Sequence, residues 1–369
     1  MRASSSWLAH LRAGGTTPWA AYALDPARAN HDLGEDHATR PVTPGAQQLE
    51  VLRRLNALGR VSPALADRVL RADLAGRGHG LLGLAGEDHR RFGTPPVDPA
   101  ALPLRELLRV VIGLLAEDVV TTGVPPLPPA HRPRLRRVRY RLSGDPWLAV
   151  PAREDLVRRG YPQGGGRAVT FLVGRDLSTM LADAWTWRSL VNGTPAWNVW
   201  LNKLRRADRL PARADLARQA RWWAQRVGGH NVRIVTDPAL LPQIFRVDTV
   251  AQPPTLSADA VELARLVAPM VSLHAGGERR ELMLRGLVPR LTGAAGAPLA
   301  VPERWQEWVA GQARLVHREL TSGDYAVLGD PDLILGRSAD GGAPSEPAVL
   351  TLALRTLLEN DPDSRVEGA

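Results

Sequence analysis

Five prolines fall within ten residues in VPPLPPAHRP, Val124 to Pro133, and no other stretch limits the fold so tightly. Proline fixes φ and lacks an N–H, so this run cannot lie inside a helix or in a central strand. It reads as a semi-rigid extended connector and divides the chain. The expected organisation is a helical N-terminal domain over 1–123, a linker over 124–135, an α/β domain over 136–337, and a C-terminal helix and tail over 338–369.

Before the linker the pattern is helical. SSSWLAHLRAGG has serines ahead of an apolar stripe and glycines behind it. In TTPWAAYAL, Thr17 is the expected N-cap and Pro18 the first helical residue. Leu49, Leu52, Leu55 and Leu58 recur at spacing three and are placed on one face. Ser62 and Pro63 open the next helix, and the apolar run from Asp98 to Val120 predicts the central one. Beyond the linker the period changes. RRVRYRL alternates, AVTFLVG (Ala168 to Gly174) and NVRIVTD (Asn231 to Asp237) are β-prone runs, and a short DYAVLG follows the last long helical pattern. Strands separated by helices predict βαβ units and a mainly parallel sheet.

Composition narrows the function classes. An apolar fraction of 44% supports a real core, and the absence of cysteine excludes disulfides, thiolate metal sites and cysteine nucleophiles. No stretch has the length and apolarity of a signal peptide or membrane span, so a cytoplasmic location without membrane insertion is expected. The net charge is +9, yet Lys203 is the only lysine and the arginines are interspersed with acids. That pattern reads as a charge-mixed surface. Nine of the eleven tryptophans, Trp147, Trp185, Trp187, Trp197, Trp200, Trp222, Trp223, Trp305 and Trp308, follow the linker and are expected in the core, with a stacking platform as the alternative.

Four segments resemble a family of bacterial sulfotransferases that use the sulfate donor PAPS. AVTFLVGRDLSTMLADAW is similar to that family's strand followed by an Arg-Asp pair opening a helix. RQARWWAQRVGGHNVRIVTDP looks like its tryptophan-bearing helix, strand and threonine turn. PPTLSADAVELARLV and WQEWVAGQARLVHRELTSGDYAVLGDPDLIL look like its Ser-Leu-Ser turn and its C-terminal helix, strand and Gly-Asp turn. The resemblance implies a P-loop sulfotransferase type of sheet across 136–337, with the all-α N-terminal domain outside the match. It also implies a phosphosulfate loop of the type Gly-x-Pro-Lys-Thr-Gly-Thr-Thr after the first strand, where amides, a helix N-terminus and a lysine hold the donor. This chain has LSGDPWLAVP there. Ser143 and Gly144 leave a small anion-binding turn with Trp147 behind it. The lysine is missing, and Asp145 places a negative charge where like charges about 4 Å apart repel by several kcal/mol at an effective dielectric near 20. Arg175, beside Asp176, matches the arginine that the family uses for the 3′-phosphate, but its partner serine falls near Ala182–Asp183 and is absent.

Other motifs carry less. Gly78, Gly80 and Gly83 satisfy G-x-G-x-x-G but follow a helix, so they read as a flexible interhelical loop rather than a dinucleotide site. HDLGEDH (His31 to His37) has the ligand types for a divalent cation without the spacing of a known site, and reads as a polar loop. His274 and His317 read as ordinary helix-surface histidines, and Glu154 and Asp155 as first-turn charges favouring the helix dipole. HRPRLRRVRYR (His131 to Arg141) fits the solvent side of an edge strand and is also the best basic cluster for nucleic acid or an acidic protein.

The expected function is a binding or scaffold role for a degenerate sulfotransferase-like domain, with no cofactor and an unknown protein or acidic ligand as partner. Ser143, Gly144, Trp147, Arg175 and Asp176 are its anion-binding remnant. The first alternative is an active enzyme that transfers a sulfuryl group from PAPS to a glycan or hydroxylated metabolite, with Arg153 or Arg175 in place of lysine. The second is nucleic-acid binding through the arginine-rich surface.

Overall fold

The computed structural model describes residues 2–25, 44–86, 94–131, 139–161, 163–165, 168–336 and 341–361. The His31–His37 cluster, Arg132–Val138 of the basic segment and the tail beyond Asp361 lie outside these residues. The fold is α/β, with mostly helical elements around one parallel sheet. Its contacts form two compact units, Met1–Gly123 with Leu266–Leu291 and Ser345–Ala369, and Val124–Arg265 with Thr292–Pro344.

The first unit begins with α1 (Arg2–Arg12), α2 (Trp19–Ala23), α3 (Ala46–Leu58), α4 (Pro63–Arg71) and α5 (Leu104–Thr122). Ser62 caps α4, its hydroxyl accepting from Leu65 N at 3.1 Å, with Pro63 at the first position as expected. At α2 the expectation is one residue early. Pro18 is itself the N-cap, while Thr17 offers its carbonyl to Trp7 Nε1 at 3.0 Å and its hydroxyl to His10. On α3 Leu49, Leu52 and Leu55 are buried but Leu58 is 41% exposed. At 3.6 residues per turn a spacing of three slips about 60° at each step, so the fourth leucine has rotated to the far side. The most apolar helix, α5, packs against α3, α4, the π-helical turn Leu282–Leu287 and α15 (Glu346–Glu359), which makes it the centre of its unit. The G-x-G-x-x-G loop follows α4, and the Arg109 guanidinium of α5 pins it by donating to Ala75 O at 2.8 Å and His79 O at 2.6 Å.

The second unit holds β1 (Tyr140–Gly144), β2 (Val169–Val173), β3 (Val232–Val235) and β4 (Ala326–Leu328), all parallel and in the order β1-β2-β3-β4. Between them run α6 (Pro146–Arg158), α7 (Leu177–Val191), α8 (Trp197–Arg206), α9 (Leu216–Val227), α10 (Leu241–Phe245) and the start of α11 (Ala258–Ala275), which passes into the first unit at Leu266. The short α12 (Arg279–Glu281) and α13 (Val288–Leu291) belong to the first unit, and α14 (Glu303–Ser322) precedes β4. The register puts Leu142 beside Phe171 and Gly144 beside Val173, which in turn pairs with Val235. This face packs on Leu148, Ala149, Ala152 and Leu156 of α6 and on Phe245. The opposite face carries Arg141, Thr170 and Leu172, and α9 packs across β2 and β3. Arg141 of edge strand β1 is clasped to the next loop, donating to Gly165 O at 2.6 Å and Ala168 O at 3.2 Å.

Six of the nine later tryptophans are buried as expected. Trp185 and Trp197 are both nearly inaccessible and satisfy their indole N–H groups on Pro195 O and Ala300 O at 3.0 and 2.9 Å, so truncating either to alanine costs about 3–5 kcal/mol. Trp223 and Trp308 are half-buried, and Trp222 departs from the expectation at 47% exposed.

Asp361 closes the first unit on itself. Its carboxylate accepts from Ser62 N at 3.0 Å and from the Ser62 hydroxyl at 2.8 Å, 299 residues away in sequence and out of contact with water. Asp361→Ala leaves that buried N–H without an acceptor and is expected to lower unfolding free energy by about 1–3 kcal/mol in urea denaturation. An unchanged midpoint would show that the contact contributes nothing.

Candidate functional site

In parallel α/β sheets, anions bind beyond the carboxyl ends of the strands, where loop amides and helix N-termini are free to donate. Here those donors are already engaged. The loops after β1, β2 and β3 continue the ladder onto the next strand: Asp145 N donates to Val173 O at 2.8 Å, Gly174 N to Val235 O at 2.9 Å, and Thr236 N to Leu328 O at 3.1 Å. Each of the four strands is then followed by an aspartate that caps the helical turn after it. Asp145 Oδ1 accepts from Trp147 N, Asp176 Oδ1 from Thr179 N, Asp237 Oδ1 from Ala239 N and Asp330 Oδ1 from Asp332 N, all at 2.8–2.9 Å. Three of the caps precede a proline, which suits the first helical position because its missing N–H would be unpaired there anyway. Among the described residues the strand order also runs without reversal, so these four strands form no switch point of the kind where such ligands bind.

Gly144 is structural at this corner. Its φ is +108°, and a Cβ would stand 2.1 Å from Val173 O, so only glycine lets β1 turn while still pressed against β2. Ser143 is half-buried in β1 opposite Leu172, and Trp147 is buried. With Asp145 N and Trp147 N both engaged and Pro146 lacking a donor, the segment Ser143–Trp147 does not form a ring of amides open to a phosphate.

The charges close the site further. Arg175 does not face outward to an anion: its Nε donates to Asp183 Oδ2 at 2.9 Å, and its Nη2 meets the same oxygen. Asp183 sits where the resemblance implies a serine, and it pairs with the arginine that would hold the 3′-phosphate. Asp145 is fully buried, and its Oδ2 has no donor among the described residues. Burial, reinforced by the neighbouring Asp183 charge and only partly offset by Arg175 and the Trp147 N–H, holds its carboxyl well above the usual carboxylate range. Burial raises the Asp183 carboxyl as well, though there the Arg175 guanidinium opposes it, so of the two Asp145 holds a proton more readily. The expectation placed a negative charge at Asp145 where phosphates would approach; the carboxyl is instead buried and raised. It is a buried carboxyl that occupies the corner, and burial favours its protonated form. A group so enclosed cannot reach a substrate as base or nucleophile.

The remaining candidates are placed elsewhere. Asp176 is a helix cap. Because α6 begins at Pro146 and runs through Pro151, Glu154 and Asp155 lie in its third turn rather than its first, and Asp155 pairs with Arg158 and Arg159 while accepting from Ala251 N at 3.2 Å. Arg153 is half-buried on the same helix. His274 is exposed on α11, and His317 Nε2 lies 2.9 Å from Asp332 Oδ1. Beside the first turn of α7 there is a cavity of about 20 Å³ near Ser178 and Gln306, room for about one water and far too small for a nucleotide. Among the described residues no three His, Asp or Glu side chains gather as metal ligands, and no helix is long and apolar enough to cross a membrane. Sequence reasoning missed Asp183 as the partner of Arg175 and the recurrence of aspartate after every strand. The signal for the recurrence was there, in SGDP, VTDP and LGDP.

The Asp145 proton predicts a pH effect with a definite sign. The unfolded side chain ionises near pH 4 while the folded one keeps its proton, so the folded state binds more protons above that pH. This group's contribution is fully present below about pH 4 and is lost as pH rises through the folded value. Asp145→Asn keeps the cap acceptor and can donate to Asp183, so it is expected to be at least as stable as the parent near pH 7, with a flatter dependence of stability on pH. Asp145→Ala, without the cap, is expected to lose about 1 kcal/mol or more in urea titrations. A destabilised Asp145→Asn near pH 7 would contradict the protonated state. No family model, curated protein or solved structure matches this chain.

Proposed function

We propose that the second unit is a non-catalytic binding or scaffold module, built on a sheet of sulfotransferase type whose donor site has been replaced by its own side chains. One observation carries this reading: the two groups that would hold a nucleotide donor, the loop after β1 and Arg175, are both satisfied internally, by Asp145 and Asp183. Seating a doubly charged phosphate there requires breaking the Arg175–Asp183 pair. That takes the guanidinium away from a buried carboxyl group, which costs free energy before any new contact forms. Added to the missing lysine, that cost weighs against PAPS as a ligand and against sulfuryl transfer at this corner.

Calorimetry tests the reading directly. Titration of the full chain with PAPS and with adenosine 3′,5′-bisphosphate is expected to give no heat beyond dilution. Micromolar binding of either, abolished in Arg175→Ala, would overturn the proposal and favour an active transferase.

A further inference from the structure

The exposed tryptophan lies on a built surface. On α9, Arg218, Trp222 and Arg226 follow one another at spacing four, which puts them on one stripe about 12 Å long. All three are exposed, whereas Leu216, Ala217 and Ala220 make up the buried side. Trp222 meets Trp223 edge to face at 4.7 Å between ring centroids, and the Arg226 guanidinium lies 4.5 Å from the Trp222 centroid. From edge strand β1, the Arg141 guanidinium comes within 5.6 Å of the Trp223 ring. Guanidiniums and indoles thus alternate across adjoining elements of one unit. Arg141, Arg218 and Arg226 belong to no ion pair among the described residues. Of the acids on the neighbouring elements, Asp215 is occupied in capping α9 and Glu319 is held by Arg221.

An exposed indole between unpaired cations has no role in the core and carries a hydration cost that a stacking partner would remove. Cations without a carboxylate partner, Arg218 and Arg226 exposed and Arg141 held in place by Gly165 O and Ala168 O, flank an aromatic face and match a chain that alternates flat bases with phosphates. A duplex keeps its bases stacked inside and offers this stripe only phosphates. We propose that the α9 stripe, continued by Arg141, binds single-stranded nucleic acid, with a base stacked on Trp222 and the backbone phosphates on Arg218, Arg226 and Arg141. The proposal is independent of the closed corner beyond β1, because the stripe uses none of its residues.

Fluorescence anisotropy of the full chain with a labelled single-stranded oligothymidylate, its duplex form, and a labelled polyglutamate peptide tests the proposal. The single strand is expected to bind more tightly than the other two at about 50 mM salt. Trp222→Ala is expected to weaken that binding by about 5- to 150-fold, Trp222→Phe to retain most of it, and neither to move the melting temperature. Arg218→Gln and Arg226→Gln are each expected to reduce the slope of log K against log salt by about 0.7. No binding at low salt, duplex binding as tight as single-strand binding, or affinity indifferent to Trp222→Ala would overturn it. Polyglutamate bound more tightly than the oligonucleotide, with the same dependence on Trp222, would instead assign the stripe to an acidic protein partner.

Discussion

The second unit depends on a carboxylate at every place where a strand ends and a helical turn begins. Asp145, Asp176, Asp237 and Asp330 each accept from a backbone N–H two or three residues on. An N-cap of this kind contributes about 1 kcal/mol, and a proline after it sets the first helical dihedral. The same device fills the end of the sheet with intramolecular anions. A helix N-terminus that has bonded its own aspartate has less to offer a phosphate, so fold stability and ligand binding draw on the same donors.

The Asp145–Asp183–Arg175 triad takes this one step further. Two buried carboxyl groups share one partly exposed guanidinium, and the raised Asp145 carboxyl eases the repulsion between them. The corner is consequently coherent as it stands, with a cap, a cross-strand bond from Asp145 N, and a compensated ion pair. In this account the open chemistry lies elsewhere, on α9, where cations and an indole are left facing water.

Much of the architecture was legible because it follows from local rules. Alternating and β-branched runs marked all four strands to within a few residues, and Ser62–Pro63 announced its helix through capping chemistry. The parallel sheet followed from the spacing of those runs. What was not legible depends on which side chains meet in space. Spacing three in Leu49–Leu58 looked like one face, but helical drift carried Leu58 out. Trp222 looked like its buried counterparts because apolarity alone does not fix the side of α9 that faces the sheet. Arg175 was recognisable as a candidate anion handle, but Asp183 as its partner was not, since a gap of eight residues across a loop and two helical turns gives no sequence signal. The charge of Asp145 was misjudged for the same reason. Protonation state is set by burial and neighbours, and neither is written in the residue itself.

The protonation of Asp145 near neutral pH tests the account most directly. Carbon-13 NMR of the aspartate side-chain carboxyl groups, followed from about pH 3 to pH 8, reads it residue by residue. The account predicts one carboxyl resonance, absent in Asp145→Asn, that keeps its protonated shift well after the other aspartates have ionised near pH 4. An Asp145 signal that titrates together with the exposed aspartates would mean that the corner is open to water and charged, and would contradict the account.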